Sequence, residues 1–121
     1  ASAFMTYITP HGEKKADEKF SLWVRNRDGK CMAAGLFGPC AGPLQAAHLV
    51  GRRNHSTRYD ITNVWALCRN CHMTIDQHGR EAHKYTFALS VMSPNEWESL
   101  SAKARTITNR VDAIEEALCR L

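Results

Sequence analysis

A chain of 121 residues holds one domain of ordinary size and not two. With 44% hydrophobic and 23% charged residues it lies in the globular range, which excludes a wholly disordered or fibrous chain. Lys and Arg outnumber Asp and Glu by 16 to 12, a net charge of +4 that permits a polyanionic partner without requiring one.

The uninterrupted apolar stretches fall far short of the roughly 20 residues needed to cross a bilayer, and the opening residues lack the charged-then-apolar layout of a secretion signal. The expectation is a soluble, intracellular protein with no membrane partner. Five cysteines, an odd number, fit a disulfide framework poorly and suit a reducing compartment that leaves thiolates free for metal.

From Ala16 to Asp28, apolar Phe20, Trp23 and Val24 recur at helical spacing, with Asp17 placed to cap the start and Asp28-Gly29 to end it. This predicts an N-terminal helix within 17–30. Between Cys31 and Pro43, the glycines Gly35, Gly38 and Gly42 with Pro39 deny a helix or regular strand and predict a turn region stapled from elsewhere. Short apolar runs at Gln45–Val50 and Val64–Leu67 predict two antiparallel strands around the polar stretch Gly51–Asn63. A helix should start near Asn70 and run through His72 and Asp76 toward His78.

Ser93-Pro94-Asn95-Glu96 reads as a capping box with proline at the first helical position. An apolar stripe follows from Trp97 to Leu121. Thr106, Thr108 and Asn109 interrupt it, so two helices folded on the core are preferred to one dimerising coil. The predicted class is α+β: one domain over 1–121, with an N-terminal helix (17–30), a stapled core (31–80) and C-terminal helices (93–121).

Cys68-Arg69-Asn70-Cys71 has the C-x2-C spacing at which two thiolates approach one tetrahedral zinc at about 2.3 Å. Cys31 and Cys40 supply a second pair, eight residues apart, and Cys119 is left over. Four sulfurs make a closed structural Zn2+ site; the plainer alternative is that some cysteines are small buried hydrophobes. Zinc would link on the order of 10 kcal/mol of binding to folding.

Inside the loop enclosed by the two pairs sits His48, with Asn63 fifteen and His72 a further nine residues on. The run AAHLVGRRNHSTRYDITNVWALCRNCHMTID resembles the HNH endonuclease family, specifically its small phage and bacterial members with a four-cysteine zinc site. The resemblance covers roughly residues 17–80 and is weak over the C-terminal helices. It implies a zinc-stapled ββα-metal domain in which His48 is the general base, Asn63 holds the loop and orients the base, and His72 binds a catalytic divalent metal (Mg2+, Mn2+, Ni2+ or Zn2+).

It further implies DNA as partner, the cytoplasm of a bacterial or phage-infected cell as setting, and phage DNA-processing or packaging proteins as associates. The chemistry is coherent without the name. Phosphodiester hydrolysis needs a deprotonated in-line water and a cation against charge growing on phosphate and leaving oxygen. A neutral imidazole does the first task. If the segment after Cys71 is helical, His72 and Asp76 stand at i and i+4 on one face, making Asp76 the second candidate ligand and His78 its substitute.

One position departs from the family, where the residue before the base is usually an Asp, Glu or His on the metal: here it is Ala47. Either His55 or Asp60 fills in, or metal binding is weak, or the chain is a degenerate zinc module that binds nucleic acid without cleaving it. Singly, each residue has a plainer reading: His48 as a core imidazole, His72 as a neighbour of the zinc knuckle, Asn63 as a turn residue.

Arg52, Arg53, Arg58 and Arg69 crowd the motif, and from Gln45 to Lys84 six basic residues face three acidic ones. Phosphate contacts are the natural use. Trp23, Trp65 and Trp97 fall on apolar patterns and are expected to pack. The predicted reaction is metal-dependent nicking or cleavage of DNA. A protein-interaction domain docking through the Trp97–Leu121 stripe is the third class considered.

Overall fold

The structure, a computed structural model, describes residues 10–77, 79 and 81–121. These form α1 (Pro10–Asp28), β1 (Leu44–His48), α2 (His55–Arg58), β2 (Val64–Cys68), α3 (Arg69–Asp76), α4 (Glu81–Val91), α5 (Pro94–Ala104) and α6 (Arg110–Arg120). The class is α+β. No helix among the described residues is long and apolar enough to cross a membrane.

The sheet is a single antiparallel pair, with Leu44 opposite Cys68 and His48 opposite Val64. Alternation along β1 sends Gln45 and Ala47 to one face and Ala46 and His48 to the other. On the first face, Ala47 and Leu67 pack with Ile75 of α3, Phe87 and Ala88 of α4 and Leu100 of α5. On the second, Ala46, Val64 and Ala66 pack with Ala16, Phe20 and Val24 of α1 and with Ala113, Ile114 and Ala117 of α6. Each large side chain fully buried there contributes about 1.5–3 kcal/mol.

The outer edge of β2 is closed by the end of α1. The Arg27 guanidinium donates to the Ile61 and Val64 carbonyls at 2.7 Å each, and the Asp28 carboxylate accepts the Ala66 N–H at 2.8 Å. Arg27 also lies over the rings of Trp23 and Trp65, at 5.2 and 4.6 Å from their centroids. Gly29, at φ +68°, turns the chain out of the helix, its N–H on the Arg25 carbonyl at 2.9 Å.

Several boundaries differ from the sequence expectation. α1 begins at Pro10, so Asp17 is not a cap but a mid-helix carboxylate that holds Arg58 and Tyr59. β1 stops at His48 because the Asn63 side chain takes the Val50 N–H in place of a ladder carbonyl. α4 falls in a stretch for which no element was expected: its apolar residues run around the helix rather than along one stripe.

At the far end the capping box forms, Ser93 Oγ accepting the Glu96 N–H at 3.1 Å and Glu96 accepting the Ser93 N–H at 3.1 Å. Asn109 Oδ1 caps α6 through the Val111 N–H at 2.8 Å. The Trp97–Leu121 stripe is used inside the molecule, with Leu100, Ala113, Ile114 and Ala117 buried, and does not form a continuous docking face.

Candidate metal centre and active-site cleft

Cys31 follows the end of α1 and is drawn to the sheet by the next residue, whose N–H reaches the Ala66 carbonyl at 2.8 Å. Cys68 ends β2 and Cys71 lies in the first turn of α3, where the Cys68 sulfur accepts the Cys71 N–H at 3.4 Å and caps the helix. The loop carrying Cys40 docks onto that same turn, the N–H groups of Arg69 and Asn70 reaching the Pro43 and Ala41 carbonyls at 3.0 and 3.2 Å. Gly42 sits at φ +86°, and a Cβ there would stand 2.7 Å from that of Arg69, so only glycine lets the loop close this far.

The result is four thiol sulfurs, from Cys31, Cys40, Cys68 and Cys71, all within 4.8 Å of one another and positioned to bind a metal ion. Bonds of about 2.3 Å in a tetrahedron put sulfurs about 3.8 Å apart, so a cation such as zinc fits with a small contraction. None of these cysteines is in a disulfide. Burial pushes the Cys68 thiol up, but N–H donors from Cys71 and Ala41 with hydrogen bonds from the Cys71 and Cys40 thiols outweigh it and bring it down to about 6. Burial raises the Cys71 thiol, and hydrogen bonding with Cys31 raises that of Cys40. Cys119 is exposed on α6, outside the cluster.

A cleft of about 580 Å³ runs along β1, lined by Asp17 and Phe20 of α1, Gln45 and His48 of β1, Arg52, His72 and Asp76 of α3, and Lys84 of α4. The structure thus brings together His48, His72 and Asp76. His48 Nε2–H donates to the Arg58 carbonyl at 2.9 Å, which leaves Nδ1 as the basic nitrogen. Burial lowers its pKa to about 4; the bond to Arg58 opposes the shift and the charges of Arg52 and Arg58 add to it. The ring is therefore neutral at pH 7.

Asn63 does not line the cleft. Fully buried, it accepts the Val50 N–H at 2.7 Å and donates to the Val50 and Thr57 carbonyls at 3.0 and 2.9 Å, tying both ends of the loop from which Arg58 offers its carbonyl to His48. These bonds reach backbone 13 and 6 residues away and not Asn63's own, so the geometry is that of a residue holding the loop and not of a local turn.

His72 is held at both nitrogens: Nδ1 is 2.8 Å from Gln45 Oε1 and Nε2 is 3.0 Å from Asp76 Oδ2. Two neighbouring ligands on an octahedral cation at about 2.1 Å are about 3.0 Å apart, so the pair suits adjacent positions on one divalent ion. Lys84 Nζ lies 3.9 Å from Asp76 Oδ1. His78 lies outside the described residues.

The arginines divide. Arg52 lies on the rim of the cleft, and with Arg53, Lys14 and Arg110 it lines an adjoining groove of about 590 Å³. Arg58 requires a correction as a free phosphate contact: only 8% exposed, it forms a two-point bond to the half-buried Asp17 carboxylate at 2.7 and 3.1 Å, because a buried guanidinium needs a counter-charge. Arg69 is exposed at the thiol cluster over Gly42 and does not line the cleft.

Ala47 points into the core, 1% exposed, on the opposite face of β1 from His48. Neither proposed replacement reaches the cleft. Asp60 is held by Lys103 at 2.6 Å and by Thr62, and His55 lines the adjoining groove instead. Sequence reasoning gave Asp17 only a capping role and did not single out Gln45 or Lys84. Period-two alternation from the buried Ala47 could have flagged Gln45, whereas Lys84 sits on the helix that left no stripe.

Protein-family models, curated proteins and solved structures compared with the chain give no match, so its functional reading rests on the cleft and the thiol cluster themselves.

Proposed function

We propose that this chain is a zinc-stapled, divalent-metal-dependent DNA endonuclease of the His-Asn-His type, with a ββα-metal core formed by β1, β2 and α3. The observation that carries the reading is the shared cleft: a half-buried, neutral His48 opens onto the same space as the His72–Asp76 pair. The four thiol sulfurs are assigned to structural zinc.

His48 Nδ1 takes a proton from water, while Nε2–H stays on the Arg58 carbonyl and stabilises the imidazolium that forms. An anionic phosphodiester beside the ring favours the charged form and moves the base toward the working pH. Arg52, on the rim, holds that phosphate, and Arg53 in the adjoining groove holds a neighbouring one. His72 and Asp76 would hold a divalent cation, which supplies charge against the crowded phosphate and the leaving oxygen.

A second reading has one observation in its favour. With Ala47 in the core, two side chains in place of three face the cation, which suits a zinc module that binds nucleic acid without cutting it. Relaxation of supercoiled plasmid by zinc-loaded protein, with Mg2+, Mn2+ or Ni2+ and with EDTA, separates the two. Metal-dependent nicking that falls about 100-fold or more in a folded His48→Ala supports the nuclease; DNA binding without nicking under any metal establishes the binding module instead.

A further inference from the structure

Register places Gln45 where no catalytic pattern in the sequence would. β1 pairs with β2 so that Gln45 stands opposite Leu67, and β2 passes directly into α3 through Cys68. The Gln45 amide is therefore carried to the first turn of α3, where its Oε1 lies 2.8 Å from His72 Nδ1.

The other ring nitrogen, Nε2, is 3.0 Å from the Asp76 carboxylate. A neutral imidazole carries one N–H and one lone pair, and a carbonyl oxygen can only accept. The Gln45 carbonyl takes the N–H of Nδ1; the Asp76 carboxylate, which also only accepts, takes a proton at Nε2 while no cation is present, and a cation bound by Asp76 would displace that proton and use the Nε2 lone pair. Histidines that bind metals commonly donate their second N–H in this way, which fixes ring orientation and raises ligand basicity.

We infer that Gln45 is a positioning residue: its side-chain carbonyl holds a proton on His72 Nδ1, so that Nε2, beside Asp76, is the nitrogen offered to a divalent cation in the cleft. The inference rests on the nuclease reading for the use of the cation, but the Nδ1–H bond to Gln45 is a property of the metal-free side chains. Its weight is greater here because Ala47 contributes nothing, leaving the cation to two side chains whose orientation must be set in advance.

The test compares wild type, Gln45→Met, which keeps length and loses the acceptor, and Gln45→Glu, which keeps an acceptor. All are full-length zinc-loaded proteins. The 15N shifts of the His72 ring, assigned through His72→Ala, report the tautomer, and Mn2+ titration followed by electron paramagnetic resonance reports affinity.

The expected result is a proton on His72 Nδ1 in wild type, its loss in Gln45→Met with Mn2+ affinity down about 10–100-fold, and recovery of both in Gln45→Glu. A wild-type ring protonated at Nε2 alone, or an Nδ1 shift unmoved by Gln45→Met, overturns the inference, as does unchanged Mn2+ affinity in Gln45→Met where binding depends on His72. Wild type that binds no Mn2+ through His72 brings down the nuclease reading, while the ring shifts still judge Gln45.

Discussion

Asn63→Ala tests how much of the site depends on one buried amide. The Asn63 side chain makes three hydrogen bonds, all to backbone groups: the Val50 N–H, the Val50 carbonyl and the Thr57 carbonyl. Alanine leaves the Val50 N–H and carbonyl without partners at a part-buried site, while the Thr57 carbonyl keeps the Asp60 N–H at 3.1 Å; each lost partner costs about 1–3 kcal/mol. Some relaxation and an admitted water reduce the sum, so the expected loss is about 2–4 kcal/mol. For a chain of this size that lowers Tm by about 8–16 °C.

Urea and thermal unfolding of zinc-loaded protein measure it. Asn63→Asp sharpens the test, because a carboxylate can still accept the Val50 N–H but sets its second oxygen against two carbonyls. It should be nearly as damaging at pH 7 and recover in part at acid pH, where the protonated carboxyl can donate. A loss under about 1 kcal/mol in Asn63→Ala would falsify the view that this amide fixes the loop.

If zinc fills the four-thiol cluster, removing it by strong chelator or by Cys71→Ser should abolish near-ultraviolet circular dichroism. The linked binding energy, on the order of 10 kcal/mol, rivals the whole stability of a domain. Because the folded pKa of His48 lies below its unfolded value, its contribution is fully present above about pH 6.5 and is lost as pH falls toward 4, by about 3 kcal/mol; unfolding across that range should show the slope in wild type and a flatter one in His48→Gln. Arg58→Met should destabilise by about 1–3 kcal/mol, because Asp17 loses its two-point partner and keeps only the Tyr59 hydroxyl and the more distant Arg52. Arg52→Ala and Arg53→Ala should shift stability by less than about 0.5 kcal/mol while each lowers the salt slope of DNA binding by about 0.9, read by fluorescence anisotropy; equal stability losses in all three would undo the division between them.

Legibility in the sequence followed the range of the interaction. The capping box at Ser93, the Asn109 cap and the two strands depend on residues close in the chain, and all are found. The four cysteines were recognisable because thiols in two pairs, one of them at C-x2-C spacing, are the pattern of a metal site. Asp17 was read as a cap because a lone Asp before an apolar pattern looks like one; its actual partners, Arg58 and Tyr59, are 41 and 42 residues away. The same distance hid the burial of Arg58. Gln45 was hidden for a related reason, since its contact with His72 exists only once strand register is set.

The cluster and the cleft share one helix, and its phase couples them. At 3.6 residues per turn, Cys71 and Ile75 stand one above the other and are buried, facing the thiols and the core. His72 and Asp76, each one residue on, form the neighbouring stripe about 100° round the axis, and that stripe faces the cleft. The Cys68 cap and the Cys40 loop clamp the first turn of α3, so fixing Cys71 in the cluster also fixes the rotation that aims His72. β1 closes the other side, with Gln45 on the ring of His72 and His48 three residues along the same strand. A cation held by the thiols would thus act on the cleft without touching it, by holding the helix whose rotation sets where His72 and Asp76 stand relative to His48.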